Sequence, residues 1–234
     1  GQEGDGGAVR GDGAGGILVI DSTVSGNSTG ARGSSGGGLQ ARRGDLVAVN
    51  TTVANNHAAD ASNSPGGGLH SNFNISVTNS TVTGNSSGTS GGGIQAEGIA
   101  TVTNSIIAGN AAPIGDNVSL TGGPSIGTNS TTSNADVTAV FEETAPNAAD
   151  PDIQSGVLGN NGGPTQTVAL KATASNPAVD TVSGTANIGA TLSEAELDLD
   201  LNGDGARTDI IDSIDDFQNA QRGAGTPREV RQGG

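Results

Sequence analysis

The residues best placed to do chemistry form one short acidic stretch near the end of the chain, DLDLNGDGARTDIID. Asp200, Asn202 and Asp204 stand at alternate positions, followed by Gly205, in a D-x-N-x-D-G pattern. Oxygen ligands at the first, third and fifth positions of such a loop converge on a hard cation, and the glycine supplies the bend that brings them together. The expected ion is therefore calcium. An EF-hand places Glu at its twelfth position, whereas this chain has Ile211 there. Closure of the shell falls instead to Asp209 or Asp212, with the backbone carbonyl of Ala206 as a further ligand. The plainer alternative is a solvated acidic turn, since Asp198, Asp215 and Asp216 crowd the same stretch.

Something must hold that loop. Ser193 and Glu196 fit a capping box that opens a short helix before it. Few large apolar residues lie nearby, namely Leu197, Leu199, Leu201, Ile210, Ile211, Ile214 and Phe217, so cation binding is expected to order the segment. Upstream the chain repeats itself every 25 to 30 residues. Glycine-rich steps ending at Val9, Leu39, Leu69 and Ile94 are followed by DSTVSGN, NTTVANN, NSTVTGN and NSIIAGN. Repetition at this period means one supersecondary unit stacked on copies of itself.

The copies align in columns. Two residues before Asp21, Asn50, Asn79 and Asn104 stand Val19, Ala48, Val77 and Val102, and four before stand Ile17, Leu46, Ile75 and Ala100. Alternation with polar positions is the signature of strands with one buried face. Three residues after the anchor come Val24, Val53, Val82 and Ile107, and six after come Asn27, Asn56, Asn85 and Asn110. These asparagines predict a corner ladder with left-handed backbone and amides bonded from coil to coil. The fold expected is all-β, a right-handed parallel β-helix, because parallel crossovers take that hand. Regular coils are assigned to 1–125, an irregular continuation to 126–190 and the acidic segment to 191–234. Within the continuation, PIGDN and GGPSIGTNSTTSN read as turns, ADVTAVFEE as one more strand, and Asp150 to Val182 as one or two further coils.

Composition agrees with a narrow solenoid. The 234 residues include 41 glycines and 3 phenylalanines, with no Trp, Tyr, Met or Cys, too few large side chains for an ordinary globular core. Net charge is -15, which argues against nucleic acid and anionic membranes as partners and favours cations. No apolar stretch approaches the roughly 20 residues of a membrane span. Without an initiating Met or a signal peptide, the chain reads as a processed product or a segment of something longer.

GGGI followed by VxGN resembles the repeat of the polymorphic outer-membrane proteins and related bacterial β-helices, over about residues 6 to 115. DPDIQSGVLGNNGGPTQTVALKATASNPAVD, from Asp150 to Asp180, resembles the signature of the bacterial choice-of-anchor Q proteins, with Gln221, Arg222, Gly223, Pro227 and Arg228 matching a later QRGxPR-like segment. The chain stops near VRQGG, before that family's aromatic ending. The resemblance implies an exported β-helical surface protein with no assigned reaction.

Two classes of function follow. One is an extracellular structural or adhesive solenoid that associates head-to-tail into filaments and contacts surface glycans. The other is a polysaccharide-binding or polysaccharide-degrading β-helix. A lyase wants clustered basic residues, and Arg42 with Arg43 lie in one repeat, while Lys171 stands alone. A hydrolase wants paired carboxylates across a groove, and Asp12, Asp21, Asp45, Asp60 and Glu97 are scattered. No catalytic residues are assigned and no enzyme activity is expected. Ice binding would want paired threonine ladders, but Thr23, Thr52 and Thr81 form one column that Ile106 breaks. His57 and His70 read as loop and outer-face residues. Seven N-x-S/T sequons, at Asn27, Asn50, Asn74, Asn79, Asn85, Asn117 and Asn129, follow from turn chemistry.

Overall fold

A computed structural model describes residues 7–30, 34–59, 63–128, 130–132 and 137–171, with 173, 176 and 178. It is a parallel β-solenoid whose three faces are each a five-stranded sheet. The first face stacks Val9–Gly11, Leu39–Ala41, Leu69–Ser71, Ile94–Ala96 and Val118–Leu120. The second stacks Ile17–Ile20, Leu46–Val49, Ile75–Thr78, Ala100–Thr103 and Ser125–Thr128. The third stacks Thr23–Ser25, Thr52–Ala54, Thr81–Thr83, Ile106–Ile107 and Thr131–Thr132. The expected columns pair in register: Val19 with Ala48, Ala48 with Val77, Val77 with Val102.

Small aliphatic side chains suffice because each coil is only a few residues across. Leu39, Leu46, Val53, Leu69, Ile75, Val77, Val82, Ile94 and Ile107 form one continuous core. The glycine before each first-face strand lets neighbouring coils touch. A Cβ on Gly68 would sit 2.7 Å from the carbonyl oxygen of Gly93 and 3.1 Å from Cγ of Asn85.

Inside the stack runs the asparagine ladder. Nδ2 of Asn27, Asn56 and Asn85 each donates to Oδ1 of the next asparagine at 2.9 Å, and Asn110 donates to Asn117 at 3.0 Å. Backbone N–H groups of Asn56 and Asn85 donate to the same oxygens, each at 3.0 Å. The left-handed residues are elsewhere. Around this corner they include the anchors Asp21, Asn50, Asn79 and Asn104, with φ of 48 to 49°, and the residues just before each ladder position: Gly26, Asn55, Gly84 and Gly109. The bend is made one residue early, so the ladder asparagine keeps ordinary backbone geometry and turns its amide inward. A second ladder uses the residue after the anchor: Thr51, Ser80 and Ser105 each donate a backbone N–H to the hydroxyl one coil on.

Three sequence expectations are corrected beyond Asn110. The fifth pass, read as turns, is built of strands: Ser125–Thr128 and Thr131–Thr132 pair with the coil beneath. Backbone pairing on an already formed edge does not need an apolar residue in every column, and Ser125 and Gly127 occupy two of them. ADVTAVFEE is not a strand; it holds a 3-10 turn at Val137–Ala139, after which Phe141 makes an isolated antiparallel bridge with Leu170. From Asp150 onward the described chain forms antiparallel pairs in place of further coils, Thr144–Pro146 with Gln154–Gly156 and Leu158–Gly159 with Thr167–Val168.

This segment folds back along the third face. Phe141, Val137, Val140 and Val168 pack with Ile106 and Ala108 in a second core. Asn147 donates to the carbonyl of Gly109 at 3.0 Å, Gly156 N–H donates to Oγ1 of Thr83 at 3.0 Å, and Oγ1 of Thr23 in the first coil donates to the carbonyl of Gln166 at 2.5 Å. Thr52 and Thr81, on the same face, are buried. The break that Ile106 makes in the threonine column is the seat of this second core.

Candidate functional site

The calcium-type residues Asp200, Asn202, Asp204, Ala206, Asp209 and Asp212 lie outside the described residues, as do Gln221, Arg222, Gly223, Pro227 and Arg228. Among the described residues, no group of three or more His, Asp or Glu side chains is gathered as for a metal. The solenoid itself brings together a different set of residues.

At the corner where the first face turns into the second, Arg10, Asp12, Arg42, Arg43 and Asn72 line an open cleft of about 470 Å³. Stacking fixes their heights. Arg10 pairs with Gln40 in the first sheet, Arg42 N–H donates to the carbonyl of Gly11 at 2.9 Å, and Asn72 N–H donates to that of Ala41 at 3.1 Å. Nε of Arg10 donates to Oδ1 of Asp12 at 3.0 Å, and Nη1 of Arg42 stands 4.0 Å from the same oxygen. Arg43 is exposed and has no hydrogen-bond or ion-pair partner among the described residues. Among the described residues, three guanidinium groups and one carboxylate line this corner, a local excess of positive charge in a chain of net charge -15. Guanidinium forks of this kind hold carboxylates and sulfates through paired N–H donors.

Repeat alignment from the asparagine anchors hides this cluster, because the corner differs in length between coils. Counting forward from the glycine steps finds it: Arg10, Gln40, His70 and Gln95 then share one column, and Asp12, Arg42, Asn72 and Glu97 another.

The two histidines are more enclosed than expected. His57 lies in strand His57–Ala58, with Nδ1 at 2.7 Å from Oγ of Ser86. His70 points away from the core yet is only 4% exposed, with its Nδ1 at 3.4 Å from Nε2 of Gln40. Gly66 closes over it: its φ of +73° lets the backbone double back, and a Cβ there would meet that of His70 at 2.6 Å. Burial, and then the charge of Arg42, push His70 down to about 4. Sequons are equally constrained, since Asn79 and Asn85 are buried in the stack.

No protein-family model, no curated protein and no solved structure matches this chain.

Proposed function

We propose that this chain is part of an extracellular, non-enzymatic structural or adhesive surface protein, of the bacterial β-helical kind its repeats and its Asp150 to Asp180 segment resemble. The observation that carries this reading is the uninterrupted internal ladder from Asn27 to Asn117. Each coil is locked to the next by backbone pairing and by an amide hydrogen bond between asparagines, which favours a stiff rod. Among the described residues the outermost strands of the three five-stranded sheets pair on one side only, and head-to-tail association into filaments is part of the proposal. Electron microscopy of the purified chain and of native material is the test. Rods that grow with concentration support it, and a population of single short particles under all conditions argues against assembly.

Calcium at Asp200, Asn202 and Asp204, assisted by Asp209 or Asp212 and the carbonyl of Ala206, belongs to the same reading. Carboxylates that repel one another are drawn together by the ion, and millimolar calcium outside cells suffices even for a weak site. Calorimetry and thermal melting of wild type and Asp204→Ala check this. Wild type is expected to bind and to melt higher with calcium than with chelator, and the variant to show neither effect.

Recognition of surface glycans is the second reading, favoured by the arginine corner. Nucleic acid is a poor partner for so acidic a chain. No helix among the described residues is long and apolar enough to cross a membrane.

A further inference from the structure

We infer that the corner formed by Arg10, Arg42 and Arg43 binds the carboxylate of an acidic sugar within a polysaccharide, a uronic acid being the simplest case. The inference rests on the glycan side of the reading above and names the ligand class. Three of the four Lys and Arg side chains among the described residues meet at this cleft, so its charge is local and opposes that of the rest of the chain. Coils rise about 4.8 Å apart, and the cationic residues belong to two neighbouring coils. That footprint matches one or two anionic groups.

An extended polyanion such as a nucleic acid needs cations along its length, and the one other Lys or Arg among the described residues, Lys171, does not line this cleft. A sugar acid places one carboxylate on an otherwise neutral ring, which the arginine fork takes by paired N–H donors. Neighbouring groups suit the remainder of the ring. Asn72 brings an amide for hydroxyl groups, and Asp12 brings a carboxylate already oriented by Arg10. Phe73 stands two residues beyond Ser71, as Arg43 stands two beyond its partner Ala41, and is 48% exposed. An exposed aromatic ring offers an apolar plane to the C–H face of a pyranose.

The test is calorimetry on the full chain with a tri-galacturonate oligosaccharide, its fully methyl-esterified form, inorganic sulfate and a short single-stranded oligonucleotide. Expected is binding of the acidic trisaccharide that weakens as salt rises, at least tenfold weaker binding of the ester, and at least tenfold weakening by Arg43→Glu or Arg42→Ala. Arg43 is exposed, so unchanged circular dichroism and melting of Arg43→Glu are expected to separate lost binding from lost fold. Phe73→Ala is expected to weaken the trisaccharide and leave sulfate unaffected. Absence of trisaccharide binding, equal binding by Arg43→Glu, or sulfate or oligonucleotide binding as tight as the trisaccharide would each overturn the inference. Surface location and filament growth are read by microscopy, so that proposal fails or stands separately.

Discussion

Asn85 shows how much one side chain carries in this fold. Its Oδ1 accepts from the backbone and the amide of Asn56, while its Nδ2 donates to Asn110 and to the carbonyl of Val53. Asn85→Ala leaves several of these groups buried without partners, at about 1–3 kcal/mol each. The expected loss is roughly 4 kcal/mol in urea unfolding, against about 1 kcal/mol for Asn27→Ala, whose amide is half-buried in the first coil. Equal losses would mean that the ladder is not the source of stability. His70 makes a prediction of opposite kind, about a proton. With its folded value near 4 and its ordinary value 6.5, the unfolded chain takes up a proton in that window and the folded chain does not. Stability therefore falls as pH drops from 6.5 towards 4, by roughly 3 kcal/mol. His70→Gln is expected to flatten that part of the pH profile, and an imidazole signal titrating near 6.5 in the folded protein would refute the assignment.

Individual elements here are strands of two to four residues, none of which would persist alone. What makes them strands is the edge beneath. Repeating columns such as Val19, Ala48, Val77 and Val102 were legible in the sequence because each apolar residue recurs at a fixed distance from its asparagine. The strand at Ser125–Thr128 was not legible, since its pairing is templated by Ala100–Thr103 and needs no hydrophobic pattern of its own. The arginine corner was hidden for a related reason: variable corner lengths put Arg10 and Arg42 out of step when counted from the asparagines, although their strands pair directly. Close coil spacing also makes glycine a strict requirement at some positions and irrelevant at others. Gly68→Ala drives a methyl against the Gly93 carbonyl at 2.7 Å, and about 3 kcal/mol of destabilisation is expected. Gly13→Ala meets nothing within 4 Å and is expected to change stability by less than about 0.5 kcal/mol. Thermal melts of the two variants give the comparison directly.

Over the whole molecule, a stack of near-identical coils is joined to a return segment unlike any of them. Phe141 is fully buried at their junction, between Ile106 of the stack and Val168 of the segment. Phe141→Ala is expected to release residues 137–171 while the coils stay folded. Hydrogen exchange should then quicken in that segment and leave the amides of Leu69–Ser71 and Ile75–Thr78 protected. Simultaneous loss of protection in both would mean that segment and stack are one cooperative unit. The hydrogen bond from Thr23 to Gln166 gives the segment a different significance. Seated at Ile106 and fastened at Thr23, it measures the distance between the fourth coil and the first. Duplication of residues 66–90 would keep both ladders in sequence, yet it would carry Thr23 about 5 Å out of reach. Other solenoids grow or shrink by whole repeats at little cost; this one has a gauge, and a change in repeat number must be matched by a change in the length of the gauge.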